Sequence, residues 1–292
     1  MTFRRQMRRG ARKLWKRVGP RPHPSQMLGL KPESTGLRQG GPLTLPEYQW
    51  QGSDAYSFTR DLSRNILDLI DYQWRTNACT GFSGRKALQI LGAQYIEGAP
   101  PKWSAYQPYW LGRAEWGLES ADGGAFVADI PRVLARDGAI PVRFMDDDYG
   151  PHDPPPPVPD SERWFVDGHF GFPLGNSIER ERSIRGIWDA LDHGLPVLCG
   201  IQTAHASSLP SVRSTGKFPM VNPARGTQPD HAICLVQGLT LNGERWFKFA
   251  NSWGDAWGDR GFGYFPAEYF NHPELGCDPQ TFSLKHKTSS FK

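Results

Sequence analysis

Apolar positions along the chain change their spacing past the middle. Leu62, Ile66 and Leu69 within 60–70 (RDLSRNILDLI) recur at helical intervals, as do Phe82, Ala87, Ile90 and Leu91 over 79–91. Residues 125–136 (AFVADIPRVLAR) repeat the pattern, with a proline expected early in the helix or at a kink. A further helix is predicted over 183–193 (SIRGIWDALDH), stopped by Gly194. From residue 196 the runs become strand-like: PVLCGIQ, HAICLVQG, RWFKFAN and FGYFP. Helices followed by antiparallel strands predict an α+β domain with segregated layers.

The ends read differently. Basic residues at 4, 5, 8, 9, 12, 13, 16 and 17 follow one stripe of a helix, while Phe3, Met7, Ala11, Leu14, Trp15 and Val18 line another. Residues 1–18 are therefore expected to be a basic amphipathic arm. Its partner would be anionic: nucleic acid, a membrane surface or an acidic protein. A solvated arm with no partner is the plainer reading. Residues 19–45, rich in proline and glycine, read as a linker; 46–285 as the compact domain; 286–292 as a C-terminal tail. The run GPHDPPPPVP at 150–159 is most simply a surface insertion, with a proline-dependent docking site as the sharper alternative.

Composition narrows the class. At 292 residues with 38% hydrophobic content, one large domain plus an appendage can bury a sizeable core. The mean hydropathy is −0.56 and no apolar run approaches 18 residues, so no transmembrane segment is expected. Residues 1–45 carry a charge of +10 and the remainder −6, which makes the high pI a property of the arm. No apolar stretch follows the basic residues as a secretory signal requires, although an Arg-rich, acid-free start is similar to a transit peptide. A soluble protein, cytoplasmic or associated with an assembly, is the expectation. The cysteines Cys79, Cys199, Cys234 and Cys277 form no CxxC pair, and no HExxH or Cys/His cluster points to a metal or other cofactor.

Chemistry enters with the two strands 231–238 and 245–251. Asn242-Gly243 between apolar runs predicts a tight hairpin, which would set His231 and Asn251 opposite each other at its open end. An asparagine facing a histidine holds one ring nitrogen and aims the other at a third group. Period-2 alternation turns Cys234 away from His231. Cys79 is the better candidate nucleophile, because it stands where an irregular segment gives way to a helix, and a helix N-terminus favours thiolate; on local sequence alone a buried inert cysteine is the plainer reading. Gly81 and Gly84 weaken that helix by about 1 kcal/mol each relative to alanine, a cost that makes sense if another element approaches closely there.

Together these residues resemble the papain-like cysteine peptidases, in the Cys-Thr-x-Phe form common among bacterial-type members. The motifs are Gln73 with Cys79 in QWRTNACTGF, His231 in DHAICLVQG, and Asn251-Ser252-Trp253-Gly254 opening NSWGDAWGDRGFGYF. Gly123-Gly124 is similar to the glycine pair lining that family's substrate cleft. The resemblance implies a two-lobe α+β fold, with a helical lobe carrying the nucleophile, an antiparallel sheet or barrel lobe, and a cleft between them. It further implies Cys79 as nucleophile, His231 as acid and base, Asn251 as orienting group, Trp253 as its shield, and Gln73 with the Cys79 backbone N–H as oxyanion donors. A polypeptide substrate and no cofactor follow from it.

The chain also departs from that pattern. Trp74-Arg75 stand where glycine is typical, Asn77-Ala78 replace small residues, the disulfide cysteines usual around the cleft are not matched, and no long inhibitory propeptide is recognisable. Three readings therefore stay open: a peptidase, a thiol amidase or transpeptidase acting on another amide, and a papain-like structural protein, such as a virion component, docked through its basic arm.

Overall fold

Helix α1 (Cys79–Tyr95) is buried from Cys79 through Gly92 without a break, so it is a central helix and not one with a wet face. It packs on a six-stranded sheet on one side and on α2 (Tyr106–Ala114) and α3 (Asp129–Asp137) on the other. A computed structural model describes residues 58–66, 70–222 and 227–284. The basic arm, the linker, the expected domain start at 46 and the tail 286–292 lie outside the described residues.

The two glycines of α1 show why its backbone omits side chains there. A Cβ on Gly81 would lie 2.1 Å from the Ala105 carbonyl oxygen and 2.8 Å from Tyr109 Cβ. One on Gly84 would lie 2.6 Å from Ile130 Cγ2. The helices α2 and α3 therefore close onto α1 at the two positions where glycine lowers its helix propensity.

The sheet comprises β1 (Val166–Gly171), β2 (Val197–Ile201), β3 (His231–Leu241), β4 (Glu244–Ala250), β5 (Phe262–Pro266) and β6 (Gly276–Leu284). All pairings are antiparallel, in the order β1-β6-β2-β3-β4-β5. Between β1 and β2 lies α4 (Ser177–Asp192), and α5 (Pro210–Thr215) follows β2. The architecture is α+β, as the sequence pattern predicts.

Several boundaries differ from expectation for local reasons. The helix predicted over 60–70 is a single 3-10 turn, Leu62–Asn65, because Asp61 binds both the backbone N–H and the hydroxyl of Ser63 and Ile66 already closes on the Ser63 carbonyl; residues 67–69 lie outside the described residues. The helix expected over 125–136 begins at Asp129, which puts Pro131 in its first turn, where a missing N–H costs nothing. Helix α4 starts earlier than 183, since Asn176 caps it by accepting from the Ile178 and Glu179 N–H groups. Strands also begin earlier than residue 196: β1 precedes α4.

The Asn242-Gly243 hairpin forms as predicted, with φ of 53° and 83° that match a type I′ turn. Its register is not uniform. Gln237 pairs with Lys248 but Leu235 with Phe249, so Val236 is an extra residue, a bulge. Continued past the ladder, that register puts His231 across from Trp253 and not Asn251. The run 150–159 lies at the surface in turns, anchored by buried Pro151 and Val158. No helix among the described residues is long and apolar enough to cross a membrane.

Candidate active site

Cys79 is the first residue of α1, and no side chain caps the turn before it. The N–H of Ala232, the residue after His231, donates to Cys79 Sγ at 3.4 Å. Helix start and strand start thus meet at the sulfur. A helix N-terminus and a backbone N–H both favour negative charge on it. By contrast, burial pushes the Cys199 and Cys234 thiols well up, and Cys234 donates to the Leu235 carbonyl. No disulfide joins any of the four cysteines.

His231 and Asn251 meet despite the shifted register: Nε2 and Asn251 Oδ1 are 2.7 Å apart. The same oxygen accepts the Ser252 backbone N–H at 2.8 Å. A backbone N–H can only donate, so this atom is the amide oxygen and His231 Nε2 must carry the hydrogen. In the neutral ring the lone pair is then on Nδ1, which is buried and makes no hydrogen bond. Burial pulls the His231 pKa down to about 4, against the smaller upward pull of the Asn251 bond. Trp253 stacks on the imidazole with centroids 4.5 Å apart and is itself wedged edge-on by Trp257 at 5.0 Å. His231 and Asn251 are both buried beside these rings.

Gln73 is fully buried, and its backbone N–H donates to the Ser252 carbonyl at 2.9 Å. Its side-chain oxygen accepts from the Ser252 hydroxyl and its amide nitrogen donates to the Thr76 carbonyl at 2.7 Å. One residue before Gln73, Tyr72 bridges to Trp253, and one before that the Asp71 carbonyl accepts the Gly254 N–H. The segments 71–73 and 252–254 therefore zip together, which fixes Gln73 relative to Asn251. The sequence singles out the Asn-Ser-Trp-Gly run but not Ser252 as the residue that holds Gln73.

Beneath this junction lies a charged cluster that helical periodicity did not reveal. Arg85 and Lys86, both buried on α1, pair with Asp71 at 2.8 and 2.7 Å, and Arg85 also pairs with Asp147 at 2.6 Å. Burial alone would raise the Asp71 pKa, but Arg85, Lys86 and Lys102 overcome it and hold the carboxyl at about 2. Burial pulls Lys86 down to about 8.

Trp74 has φ 55°, in the left-handed region, and its ring meets Tyr72 edge-on at 4.6 Å. A left-handed backbone explains why glycine suits this position. Of the glycine pair, Gly123 is exposed, while Gly124, with φ 84°, is buried and donates its N–H inward to Tyr109 Oη at 3.1 Å. The five residues Gln73, Cys79, His231, Asn251 and Trp253 thus lie in one connected cluster, and Gly123-Gly124 is linked to it through Tyr109 and Asp122.

No family model and no curated protein sequence matches the chain. Solved structures do. Xylellain, a cysteine protease from Xylella fastidiosa, superposes with a TM-score of 0.67 at 17% identity, covering 91% of this chain and 98% of that one. The digestive procathepsin L 3 of Tenebrio molitor larval midgut gives 0.66 at 16%, covering 97% and 93%. Procathepsin B S9 from Trypanosoma congolense gives 0.63 at 15%, covering 90% and 88%. At these identities the likeness establishes the fold, which is that of the papain-like cysteine proteases.

Proposed function

We propose that the chain is a cysteine peptidase whose triad is Cys79, His231 and Asn251. The observation that carries this reading is the doubly anchored Asn251 oxygen, which leaves the His231 lone pair on Nδ1, the nitrogen not held by Asn251, beside the strand start that touches the Cys79 sulfur. In the first step the thiol proton passes to Nδ1 and the sulfur attacks the peptide carbonyl carbon. The tetrahedral oxyanion takes hydrogen bonds from the Cys79 backbone N–H and the Gln73 amide, and loss of one such donor typically costs about 3 kcal/mol. His231 returns the proton to the leaving amine as the C–N bond breaks, giving a thioester. Water then loses a proton to Nδ1 and attacks the thioester, which releases the acid and restores the thiol. Gly123, exposed at the end of the glycine segment, lines the substrate cleft, and the substrate is a polypeptide.

One observation favours a second reading, a papain-like scaffold without turnover. Cys79, Gln73 and His231 are all 0% exposed, and burial disfavours the imidazolium on which an ion pair depends. Labelling of the folded chain by an epoxide thiol reagent decides between them. The peptidase reading expects modification at Cys79 and cleavage of denatured protein substrates that Cys79→Ala abolishes. An unlabelled Cys79 in the folded protein would sink it, and labelling with hydrolysis only of non-protein amides would redirect it to an amidase.

The basic arm is proposed to bind an anionic surface. Salt-sensitive binding to DNA or anionic vesicles that disappears on deleting residues 1–18 is the expected result; binding that survives the deletion sinks the idea.

A further inference from the structure

Asp122 stands immediately before the glycine pair, yet its carboxylate reaches across 45 positions to the segment that leads into Cys79. The Asn77 backbone N–H donates to it at 3.0 and 3.2 Å, and the Asn77 side-chain amide donates to the Asp122 carbonyl. The Tyr109 hydroxyl donates to the same carboxylate at 2.6 Å and accepts the Gly124 N–H at 3.1 Å. A phenol carries one proton. With that proton given to Asp122, only its lone pairs face Gly124, so the order is fixed: Gly124 to Tyr109 to Asp122, with Asn77 closing from the other side.

The surroundings hold this chain rigid. Tyr109 is 0% exposed, where hydrogen bonds in series strengthen one another. Burial, and then the Asp122 charge, push its pKa far up, so the hydroxyl stays a donor at any ordinary pH. Arg113 lies over the Tyr109 ring at 4.2 Å and donates to the carbonyls of Ala121 and Pro151, which pins the residue preceding Asp122 as well. Gly81 brings Tyr109 against α1 two residues after the nucleophile.

We infer that Asp122 is a positioning residue that fastens the nucleophile segment, through Asn77, to the glycine segment, through Tyr109, so that the two move as one body. Its catalytic consequence rests on the peptidase reading. Substrate seated on Gly123 then bears on the same body that carries the Cys79 backbone N–H. Loss of the fastening loosens the oxyanion donor more than it loosens substrate binding.

The test uses Asp122→Ala, Asp122→Asn and Tyr109→Phe in the full chain, with three readouts: amide hydrogen exchange at Asn77 and Gly124, kcat and KM on an unfolded polypeptide, and alkylation of Cys79 by iodoacetamide, which needs no oxyanion donor. Asp122→Ala is expected to speed exchange at both amides and to lower kcat by about 10- to 100-fold, the scale of an ångström of misplacement, while KM and alkylation stay within about threefold. Asp122→Asn keeps an acceptor oxygen and restores most of both. Tyr109→Phe frees Gly124 while Asn77 stays protected. Gly124 exchange unmoved by Asp122→Ala overturns the inference. So does a fall in kcat matched by equal losses of alkylation and melting temperature, because that marks general unfolding. A wild-type chain with coupled exchange and no turnover overturns the peptidase reading and leaves the fastening standing; turnover with uncoupled exchange does the reverse.

Discussion

His231 Nε2 lies 2.7 Å from Asn251 Oδ1, an oxygen also bound by the Ser252 backbone N–H, so the asparagine sets both the tilt of the imidazole and which of its nitrogens is basic. Turning the amide over would place two N–H donors face to face. The local backbone thus determines the tautomer.

On the proposed peptidase function, Asn251→Ala should therefore lower kcat for peptide hydrolysis by about 10- to 100-fold with little change in KM, since the ring loses its orientation and not its substrate. Asn251→Asp retains an acceptor and should recover part of the loss, with the acid limb of the pH profile shifted upward by the added negative charge. Steady-state kinetics across pH check both. An Asn251→Ala enzyme with wild-type kcat would remove Asn251 from the machinery.

The depressed His231 pKa links folding to pH. Folded, the group titrates near 4; unfolded, near 6.5. Between those values the unfolded chain binds the proton that the folded chain refuses, so stability falls as pH drops through this window. Urea unfolding at pH 7 and pH 4.5 should show wild type losing about 2 kcal/mol more than His231→Gln. Equal losses in the two proteins would rule out the linkage.

The buried charges are not equivalent. Arg85 binds Asp71 and Asp147 and reaches the Trp103 carbonyl, and these partners outweigh its burial and raise its pKa; Lys86 pairs with Asp71, and burial lowers its pKa. Arg85→Met should cost about 3 kcal/mol, while Lys86→Met should stay within about 1 kcal/mol of wild type. Denaturant midpoints decide, and equal effects would mean that the cluster acts as one unit.

Trp74 tests the left-handed turn beside Gln73. Both Trp74→Gly and Trp74→Ala lose the contact with Tyr72, but only alanine keeps the strain of φ 55°. The glycine variant should be the more stable of the two by about 1 kcal/mol. A more stable alanine variant would show that the backbone relaxes once the indole is gone.

Gly81→Ala reverses the usual helix rule. In an open helix the change gains about 1 kcal/mol, but here the new methyl meets the Ala105 carbonyl at 2.1 Å. A clear drop in melting temperature is expected; an unchanged or higher one would mean that α2 can retreat.

What the sequence revealed follows the range of the forces involved. Asn242-Gly243 specifies its turn through its own dihedrals, so the hairpin was legible. The turn centre and the bulge at Val236 depend on partners in β4: the Leu241–Glu244 register alone would set His231 opposite Gly254, and the bulge makes it Trp253, not the expected Asn251. Asn251 meets His231 all the same, through a side chain that reaches past the ladder. Strand β6, GCDPQTFSL, contains a proline and Asp278 at φ 49°, which hide its period. The burial of Arg85 and Lys86 was not legible, because helical spacing alone cannot show that α1 is covered on every side. The Asp122 fastening joins residues 45 positions apart through a backbone N–H, a contact that leaves no pattern in the residues around it.

The sheet order has a consequence in time. Strands β1 and β2 do not pair with each other; each pairs with β6, whose residues 276–284 follow every other strand in the chain. During synthesis Cys79, His231 and Asn251 have all been added by position 251, but the strand that joins β1 to the rest of the sheet follows only at 276–284. A ribosome-bound chain halted between those points has Cys79 at the start of α1 and His231 at the start of β3, with β1 not yet joined to the rest of the sheet. The order of emergence thus withholds the finished scaffold until nearly all the described chain has been made.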